Sequence, residues 1–327
     1  MKAIVVDNPG GPEVMHLGEV SDPEPGPRDV LVRVAGAGVN RADLLQRMGF
    51  YPPPPGASEV LGMEAAGEVV AAGADVSEWH AGDRVMALVE GGGYAGLLSA
   101  PAGQVMAVPL GIDLVSAAGI PEVFITAHDN LFTRAWLQKG ETVLIHGGAG
   151  GVGTAAVQLA RRAGARVIVT AGTTAKLQRS RELGAEWGID YTTEDFVARV
   201  RDITDGRGAD VILDVMGAAY LERNVDALAK DGRLLVIGMQ GGTAAEIDLG
   251  KLMRTRGSVI STALRARPAH QKAAIVRDFV ESVLPAFDDG SLHPVIGRVF
   301  PLAAAADAHN AMASGEVLGK IVLDVMA

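Results

Sequence analysis

One glycine-rich stretch constrains the fold more than any other part of this 327-residue chain. Residues 141–153 read ETVLIHGGAGGVG, in which the apolar run Thr142–His146 leads directly into closely spaced glycines. The residues that follow, 152–163, repeat apolar side chains at three- and four-residue steps, which is typical of an amphipathic helix. A strand, a glycine turn and a helix in this order present free backbone N–H groups and the positive end of the helix dipole to an anion. The sequence therefore predicts a pyrophosphate site made by Gly148, Gly150, Gly151, Val152 and Gly153.

The end of the next apolar strand, Arg166–Ala171, indicates which dinucleotide would bind. That strand completes a strand–helix–strand unit, and chains that prefer NAD usually carry Asp or Glu about twenty residues after the glycines. Here residues 170–176 read TAGTTAK and contain no carboxylate. A lysine supplies positive charge and threonine hydroxyls supply donors for a 2′-phosphate. The pattern favours NADPH, bound through Gly172, Thr173, Thr174 and Lys176.

Composition excludes several classes of protein. A net charge of −10 speaks against a general nucleic-acid binder, because such proteins gain most of their affinity from Lys and Arg. The chain has no cysteine, so disulfides, thiolate catalysis and thiolate zinc sites are excluded. No apolar segment approaches the ~18 residues of a membrane span, and the first apolar run is too short for a signal peptide. We therefore expect a cytoplasmic protein with no membrane partner.

The texture of the chain changes once in its first half, which predicts two domains. Residues 2–121 hold short strands broken by Gly and Pro, with one helix, 41–48, capped by Asn40. After a predicted helix at 123–136, strands and helices alternate, as in a doubly wound parallel sheet of six strands. Ligands gather at the carboxyl ends of such strands, which adds five loop residues to the predicted cofactor site. These are Met216, Gly217, Gly238, Met239 and Gln240.

The last sixty residues hold a predicted helix at 268–287, a strand at 297–300, a helix at 302–312 and a final strand at 319–325. The final strand is apolar on both faces, so we expect it to return to the first domain. The predicted domains are thus residues 1–122 with 266–327, and residues 123–265.

Three segments resemble the medium-chain dehydrogenase/reductase superfamily, and most closely its zinc-independent quinone oxidoreductase branch. They are residues 39–69, residues 140–153 and the tail GKIVLDV. The resemblance implies an α/β protein in which a GroES-like, β-rich catalytic domain accompanies a Rossmann domain that binds NADPH. It implies hydride transfer to an ortho- or para-quinone in a cleft between the domains. It also implies a homodimer that pairs through the strand 257–263 at a sheet edge.

The same comparison predicts that the protein holds no metal. Zinc-dependent members carry a Cys at or near the position of Asn40 and a His within a Gly-His-Glu triplet, which here reads Gly62-Met63-Glu64. None of the seven histidines lies three or four residues from another, so no helix face presents two ligands. Without a Lewis acid the acceptor must be electrophilic by itself, as a quinone is.

Several residues receive a role at this stage. Tyr51, on a loop before four prolines, is the expected hydrogen-bond donor to a quinone oxygen, unless it only packs on those prolines. The resemblance places Asn40 facing the nicotinamide, although it could serve only as a helix cap. It brings the hydroxyl of Thr126 to the cofactor. It also stacks Tyr191 near the adenosine, with its hydroxyl on the 2′-phosphate, and closes Lys320 over the cofactor.

Two other functions stay open on the sequence. A 2-enoyl thioester reductase would also be zinc-free and NADPH-dependent, and Arg41 and Arg47 are the obvious basic residues for its larger substrate. An NADPH-binding protein without physiological turnover would share the same cofactor site.

Overall fold

The computed structural model describes all 327 residues, and the chain divides into two compact units. The first unit contains Met1–Ile125 and Leu264–Ala327, and the second contains Thr126–Ala263. The second unit is therefore inserted in the sequence of the first. No helix of either unit has the length and apolar character that crossing a bilayer requires.

The amino-terminal part of the first unit is mainly β-structure. Its strands are β1 (Lys2–Val6), β2 (Met15–Glu19), β3 (Asp29–Val39), β4 (Glu64–Ala72), β5 (Arg84–Leu88), β6 (Leu97–Pro101) and β7 (Val105–Ala107). Its helices are α1 (Arg41–Arg47), α2 (Leu114–Ala117) and α3 (Pro121–His128), with 3₁₀ turns at Pro12–Val14 and Ala102–Gln104. The last of these helices continues into a π-helix, Asp129–Arg134.

The second unit alternates strands and helices along its whole length. The elements are β8 (Thr142–His146), α4 (Gly151–Arg162), β9 (Arg166–Ala171), α5 (Thr174–Leu183), β10 (Trp187–Asp190), α6 (Phe196–Ile203), β11 (Ala209–Asp214), a 3₁₀ turn (Gly217–Tyr220), α7 (Leu221–Ala227), β12 (Leu228–Val236), α8 (Leu249–Thr255) and β13 (Ser258–Ser261). All six strands are parallel, in the order β10-β9-β8-β11-β12-β13. The strand order reverses between β8 and β11, which is where a doubly wound sheet binds ligands.

The carboxyl-terminal segment completes the first unit. It contains α9 (Ala269–Ser282), α10 (Pro285–Asp288), β14 (Ile296–Pro301), a 3₁₀ turn (Leu302–Ala304), α11 (Ala305–Ser314) and β15 (Lys320–Asp324). Strand β15 pairs antiparallel with β3 and parallel with β14, so the tail returns to the first unit as predicted. The resulting seven-stranded sheet has the order β14-β15-β3-β4-β5-β7, with β6 paired to β3.

Some predicted elements are wrong in extent. The single helix predicted at 268–287 is two helices, because Pro285 has no N–H to continue the first and instead begins the second. The helix predicted at 123–136 is α-helical only to His128. Strand β12 begins at Leu228, six residues before the predicted start at 234, and ends the preceding helix at Ala227.

Each unit has its own apolar core. In the first unit, Val30, Val32 and Val34 of β3 alternate inward against neighbouring strands, while a separate cluster packs α11 against β1 and β15. In the second unit, Leu144, Ile168 and Ile212 of three adjacent strands pack against helices on the sheet face. The cores fix the strand ends, and the polar residues described below lie at those ends.

Candidate functional site

The glycine turn after β8 has the shape that a pyrophosphate site requires. A Cβ atom on Gly148 would come within 2.5 Å of the Val169 side chain, and one on Gly153 would collide with the carbonyl oxygen of Gly147. These two glycines permit β8, β9 and α4 to approach closely. At Gly150, by contrast, a Cβ would meet nothing nearer than 3.5 Å. The chain itself leaves space at Gly150, on the side where α4 begins.

The start of α4 supplies hydrogen-bond donors. Gly150 is its N-cap in an extended conformation, with φ −80° and ψ 178°, and has no side chain to cap the helix. The first N–H groups of a helix have no acceptor within it, so those of Gly151, Val152 and Gly153 are directed to whatever lies before the helix. Gly151 and Val152 are partly exposed. This geometry fits a pyrophosphate.

The end of β9 gathers the residues predicted to hold a 2′-phosphate. The Tyr191 hydroxyl lies over Gly172, where a Cβ would approach it to 2.6 Å, and the Tyr191 side chain is 48% exposed. Thr173 caps α5 by accepting a hydrogen bond from the Lys176 N–H at 3.3 Å, and Thr174 is exposed beside it. As an acceptor, the Thr173 hydroxyl keeps its own proton available for donation. Three hydroxyls and an ammonium thus belong to one strand end, with no carboxylate among the predicted residues.

The loops after β11 and β12 fold onto each other. Asp214 accepts hydrogen bonds from the N–H groups of Met216 (2.8 Å) and Gly217 (2.9 Å), and the Gly241 N–H donates to the Met216 carbonyl at 2.7 Å. A side chain on Gly238 would meet the Val215 backbone at 2.8 Å. Met239 and Gln240 are exposed at the tip of the second loop. These predicted cofactor residues therefore lie at the carboxyl edge of the sheet.

A buried histidine supports the same edge from inside. His146 ends β8 and bonds through Nδ1 to the Thr170 hydroxyl (3.0 Å) and through Nε2 to the side-chain oxygen of Asn224 (2.8 Å). Burial lowers the pKa of His146 to about 4. The ring is therefore neutral and joins β8, β9 and α7. Thr126, partly exposed at the start of this unit, contributes its backbone carbonyl to Asn130 Nδ2 at 2.8 Å.

The first unit contains a buried ion pair at Lys320. The ammonium donates to the Val39 carbonyl (2.7 Å) and the Asn40 Oδ1, and it pairs with Glu64 Oε1 at 2.7 Å. Lys320 is 3% exposed and Glu64 0%. The prediction that Lys320 closes over the cofactor is corrected here, because its ammonium is enclosed by three partners within the first unit.

Asn40 also differs from a plain helix cap. It precedes α1, but its side-chain amide donates to Glu64 Oε1 at 2.9 Å, and its carbonyl oxygen accepts from Lys320. The capping bond comes from the other partner, since the Asn40 backbone N–H donates to Asp43 Oδ2 at 2.7 Å. The alternative of a helix cap alone is therefore wrong, and the role of Asn40 toward a nicotinamide stays a prediction.

A chain of four buried groups holds α1 against α11. Arg47 approaches His309 Nδ1 at 3.3 Å, His309 Nε2 approaches the Tyr94 hydroxyl at 3.3 Å, and that hydroxyl donates to Asp43 Oδ2 at 3.2 Å. Burial, then the nearby Arg47, lowers the pKa of His309 to about 3, so the ring is neutral. Only one tautomer fits, with Nδ1 accepting from Arg47 and the Nε2 proton donated to Tyr94. Arg47 thereby has a buried structural role and is not available to a thioester substrate.

Tyr51 is held by an arginine that no pattern in the sequence singles out. Arg265, 5% exposed, donates to the carbonyls of Tyr51 (3.2 Å) and Glu90 (2.7 Å) and to Gln46 Oε1 (2.6 Å). Its guanidinium lies 5.3 Å from the centre of the Tyr51 ring. The Tyr51 ring is partly exposed, and its hydroxyl bonds to no group of the chain. The loop is thus fixed while its hydroxyl stays available.

Glu122 is the second residue that sequence reasoning missed. It lies in the first turn of α3, where an acid is an ordinary partner of the helix dipole, so nothing in the sequence distinguishes it. Its backbone N–H donates to Glu64 Oε2 at 2.8 Å. Burial, and then the charge of Glu64, raises the pKa of Glu122 to about 8. The charged neighbours become visible only when α3, β4 and β15 are brought together.

The residues in place of the zinc ligands are occupied otherwise. Met63 is 2% exposed and belongs to the core, while Asn40 is bonded as described above. No group of three or more His, Cys, Asp or Glu side chains anywhere in the chain is arranged to hold a metal ion. The absence of a metal stays a prediction, carried by the missing ligand types.

Comparison with known proteins agrees with both units. The alcohol dehydrogenase GroES-like domain family matches residues 26–110, and the zinc-binding dehydrogenase family matches residues 151–281. The quinone oxidoreductase of Pseudomonas aeruginosa is 34% identical over 316 residues, which cover 96% of each chain. The chain belongs to the medium-chain dehydrogenase/reductase superfamily. The predicted superfamily and fold class are thereby confirmed.

Two further relatives bear on function. The solved structure of Escherichia coli quinone oxidoreductase complexed with NADPH superposes with a TM-score of 0.90 at 29% identity and covers 99% of this chain and 100% of that one. A phenolphthiocerol/phthiocerol polyketide synthase polypeptide of Mycobacterium tuberculosis is 35% identical over 324 residues. These residues are 98% of this chain, which spans only 14% of the length of that relative.

Proposed function

We propose that this protein is an NADPH-dependent oxidoreductase that reduces quinones. One observation carries the proposal furthest: the second unit combines a pyrophosphate turn with a strand end that offers hydroxyls and an ammonium. A 2′-phosphate adds negative charge at that strand end, where Lys176 attracts it and a carboxylate would repel it. The relative from Escherichia coli, which is complexed with NADPH, supports the same cofactor.

The residues of the second unit would hold the cofactor at three points. The N–H groups of Gly151, Val152 and Gly153 bind the pyrophosphate, and Gly150 leaves the space for it. Thr173, Thr174, Lys176 and the Tyr191 hydroxyl bind the 2′-phosphate. The loops around Gly217 and Met239 line the remaining part. When bound, NADPH supplies a hydride from its nicotinamide ring.

The first unit would position the acceptor. Tyr51 offers a free hydroxyl to an acceptor oxygen and an aromatic ring to a flat molecule, and Arg265 fixes its backbone. A fixed donor stabilises negative charge on the acceptor oxygen without reorganisation during the reaction. Because the ligand types of a catalytic zinc site are missing, the acceptor must be electrophilic by itself. Quinones meet this requirement, and similarity to named quinone oxidoreductases supports them.

The test is the rate of NADPH oxidation by the metal-stripped protein with a panel of ortho- and para-quinones, a panel of 2-enoyl-CoA esters, and NADH beside NADPH. We expect quinone turnover with a clear preference for NADPH, unaffected by a chelator. Turnover with NADH alone would contradict the cofactor assignment. Restoration of activity by zinc would contradict the metal-free mechanism.

A 2-enoyl thioester reductase is the second candidate, because the chain is similar to part of a polyketide synthase. Of the two arginines considered for its substrate, only Arg41 stays available, with a long hydrogen bond of 3.4 Å to the Met312 carbonyl. Turnover confined to enoyl thioesters would favour this candidate. Tight NADPH binding without any turnover would favour a binding protein.

We also propose a homodimer that pairs through β13. This strand is the last in its sheet, and its Ser258, Val259 and Ser261 are exposed. Helix α8, next to it in the chain, exposes Leu249 (63%) and Met253 (77%). An edge strand with apolar neighbours gains hydrogen bonds and buried area when it meets its own copy.

A further inference from the structure

A cluster of three carboxyl groups and one ammonium in the first unit has an uneven charge. Asp43, Glu64 and Glu122 gather near Lys320, and Asp43 is 0% exposed. If all four groups were ionised, the cluster would hold two negative charges in excess, in a place where little water screens them. Such an arrangement favours retention of a proton by one carboxyl.

The hydrogen bonds indicate which carboxyls stay ionised. Glu64 pairs with Lys320 and accepts from the Asn40 amide and the Glu122 backbone N–H. Asp43 accepts from two backbone N–H groups, those of Asn40 and Gly62, and from the Tyr94 hydroxyl. Each therefore has donors that favour its charged form.

Glu122 has no such donors. Its side chain accepts no hydrogen bond from the chain, and its backbone N–H is already committed to Glu64. The groups that act on it are the carboxylates of Glu64 and Asp43, which favour the protonated form, and the cations of Lys320 and Arg265, which oppose it. The balance of burial and these charges raises the pKa of Glu122 to about 8. At neutral pH this carboxyl is mostly protonated.

Position makes that proton usable. Glu122 is partly exposed, whereas Asp43 and Glu64 are fully buried. Glu122 also acts electrostatically on Tyr51, so the two residues belong to the same region of the first unit. We propose that the Glu122 carboxyl is the proton donor of this site and gives the acceptor the proton that must accompany the hydride. The proposal rests on the proposed function.

Atoms and electrons balance in this step. The acceptor gains one new bond to hydrogen from the hydride, with its electron pair, and is left with a negative charge on oxygen or on the carbon next to a carbonyl. The O–H bond of Glu122 breaks, and its proton goes to that atom, so the acceptor is reduced by two electrons and two hydrogens. The carboxylate left on Glu122 regains a proton from water at its exposed side.

The first test needs neither cofactor nor acceptor. Infrared difference spectra of the unliganded protein at pH 7, wild type minus Glu122→Gln, should show the C=O stretch of a protonated carboxylic acid that the variant lacks. Glu68→Gln, which changes an exposed acid on β4, is the matched control and should remove no such band. Absence of the band from the wild type would show that Glu122 is ionised and would overturn the proposal. Because the wild type can be titrated alone, this test does not depend on folding of the variant.

The second test measures turnover. A positioned proton donor contributes a factor of about 10² or more, so Glu122→Gln should lower kcat by about that factor and leave the Kd of NADPH unchanged. The wild-type rate should fall as pH rises through about 8. The variant should lose this fall, and Glu122→Asp should restore part of the rate. A variant as fast as the wild type, with the same pH profile, would overturn the proposal.

The two failures can be told apart. If the wild type turned over no acceptor, the proposed function would fail and the donor role with it, whatever the infrared band shows. If the wild type turned over quinones and Glu122→Gln did so equally well, the function would stand and only the donor role would fail.

Discussion

At the residue scale, the choice of cofactor depends on charge at the start of α5. We expect Lys176→Ala to weaken NADPH binding by about 1 to 3 kcal/mol, the range for hydrogen bonds to charged groups, while NADH binding changes little. The matched control is Arg179→Ala, because Arg179 lies one turn further along α5 and pairs with Glu182 at 3.0 Å. Isothermal titration with both cofactors measures the difference. Equal losses for NADPH and NADH would show that Lys176 supports the helix and does not read the phosphate.

Another residue-scale prediction concerns acid stability and His146. Its pKa is about 4 in the folded protein against 6.5 for the free side chain, so between these values the unfolded chain binds more protons. The contribution of His146 to stability is therefore complete above about pH 6.5 and is lost as pH falls toward 4. Replacement by Gln should make the decline shallower by up to about 1.4 kcal/mol per pH unit. Thermal melts of both proteins across this range measure the slopes, and parallel slopes would contradict the assignment.

Side chains differ in how far the sequence predicts them. Gly148 and Gly153 are predictable because their spacing is set by local backbone geometry. The place predicted for Lys320 is wrong and Arg265 is missed, because each depends on which distant strand or loop lies opposite it. Tyr191 and Gly172 are nineteen positions apart in the chain, and only pairing of β9 with β10 brings them together.

At the element scale, the turn between β8 and α4 offers two glycines with different tasks. We expect Gly153→Ala to lower the melting temperature, because its Cβ would collide with the Gly147 carbonyl. Gly150→Ala is the matched control for folding, since its nearest neighbour would be 3.5 Å away and its φ of −80° suits alanine. It should melt close to the wild type but lose NADPH affinity, because the methyl group fills the space left for the pyrophosphate. Similar melting of the two variants would contradict the distinction.

Strand β13 carries the prediction about assembly. Val259→Asp should give a monomer in light scattering at micromolar concentration, because a charge on each copy would face its like across the paired edge. Val299→Asp is the control, since Val299 is 48% exposed on β14, at the edge of the other sheet, and should leave the dimer intact. A wild-type protein that is already monomeric would remove the homodimer proposal.

Elements are predicted best where local patterns are strong. The six parallel strands follow from apolar runs separated by helical periodicity, and β15 from a run that is apolar on both faces. Strands β2 and β6 are missed because Met15–Glu19 exposes most of its side chains and Leu97–Pro101 ends in proline. Such strands are held by their partners β1 and β3, which no local pattern announces.

At the scale of the whole molecule, each unit presents one part of the proposed chemistry. The second unit offers donors for a dinucleotide, and the first offers a fixed tyrosine beside a cluster of carboxyls. The sequence predicts this division because composition changes texture near residue 122. It does not predict the acceptor, because the residues around Tyr51 come from separate segments of the first unit.

The most direct test of the account is a single turnover. Metal-stripped protein loaded with one equivalent of NADPH is mixed with a quinone, and the nicotinamide absorbance is followed. We predict that NADPH is oxidised stoichiometrically, at a rate that depends on the quinone and falls when C4 of the cofactor carries deuterium in place of the transferred hydrogen. NADPH that stays bound and reduced with every quinone would contradict the account.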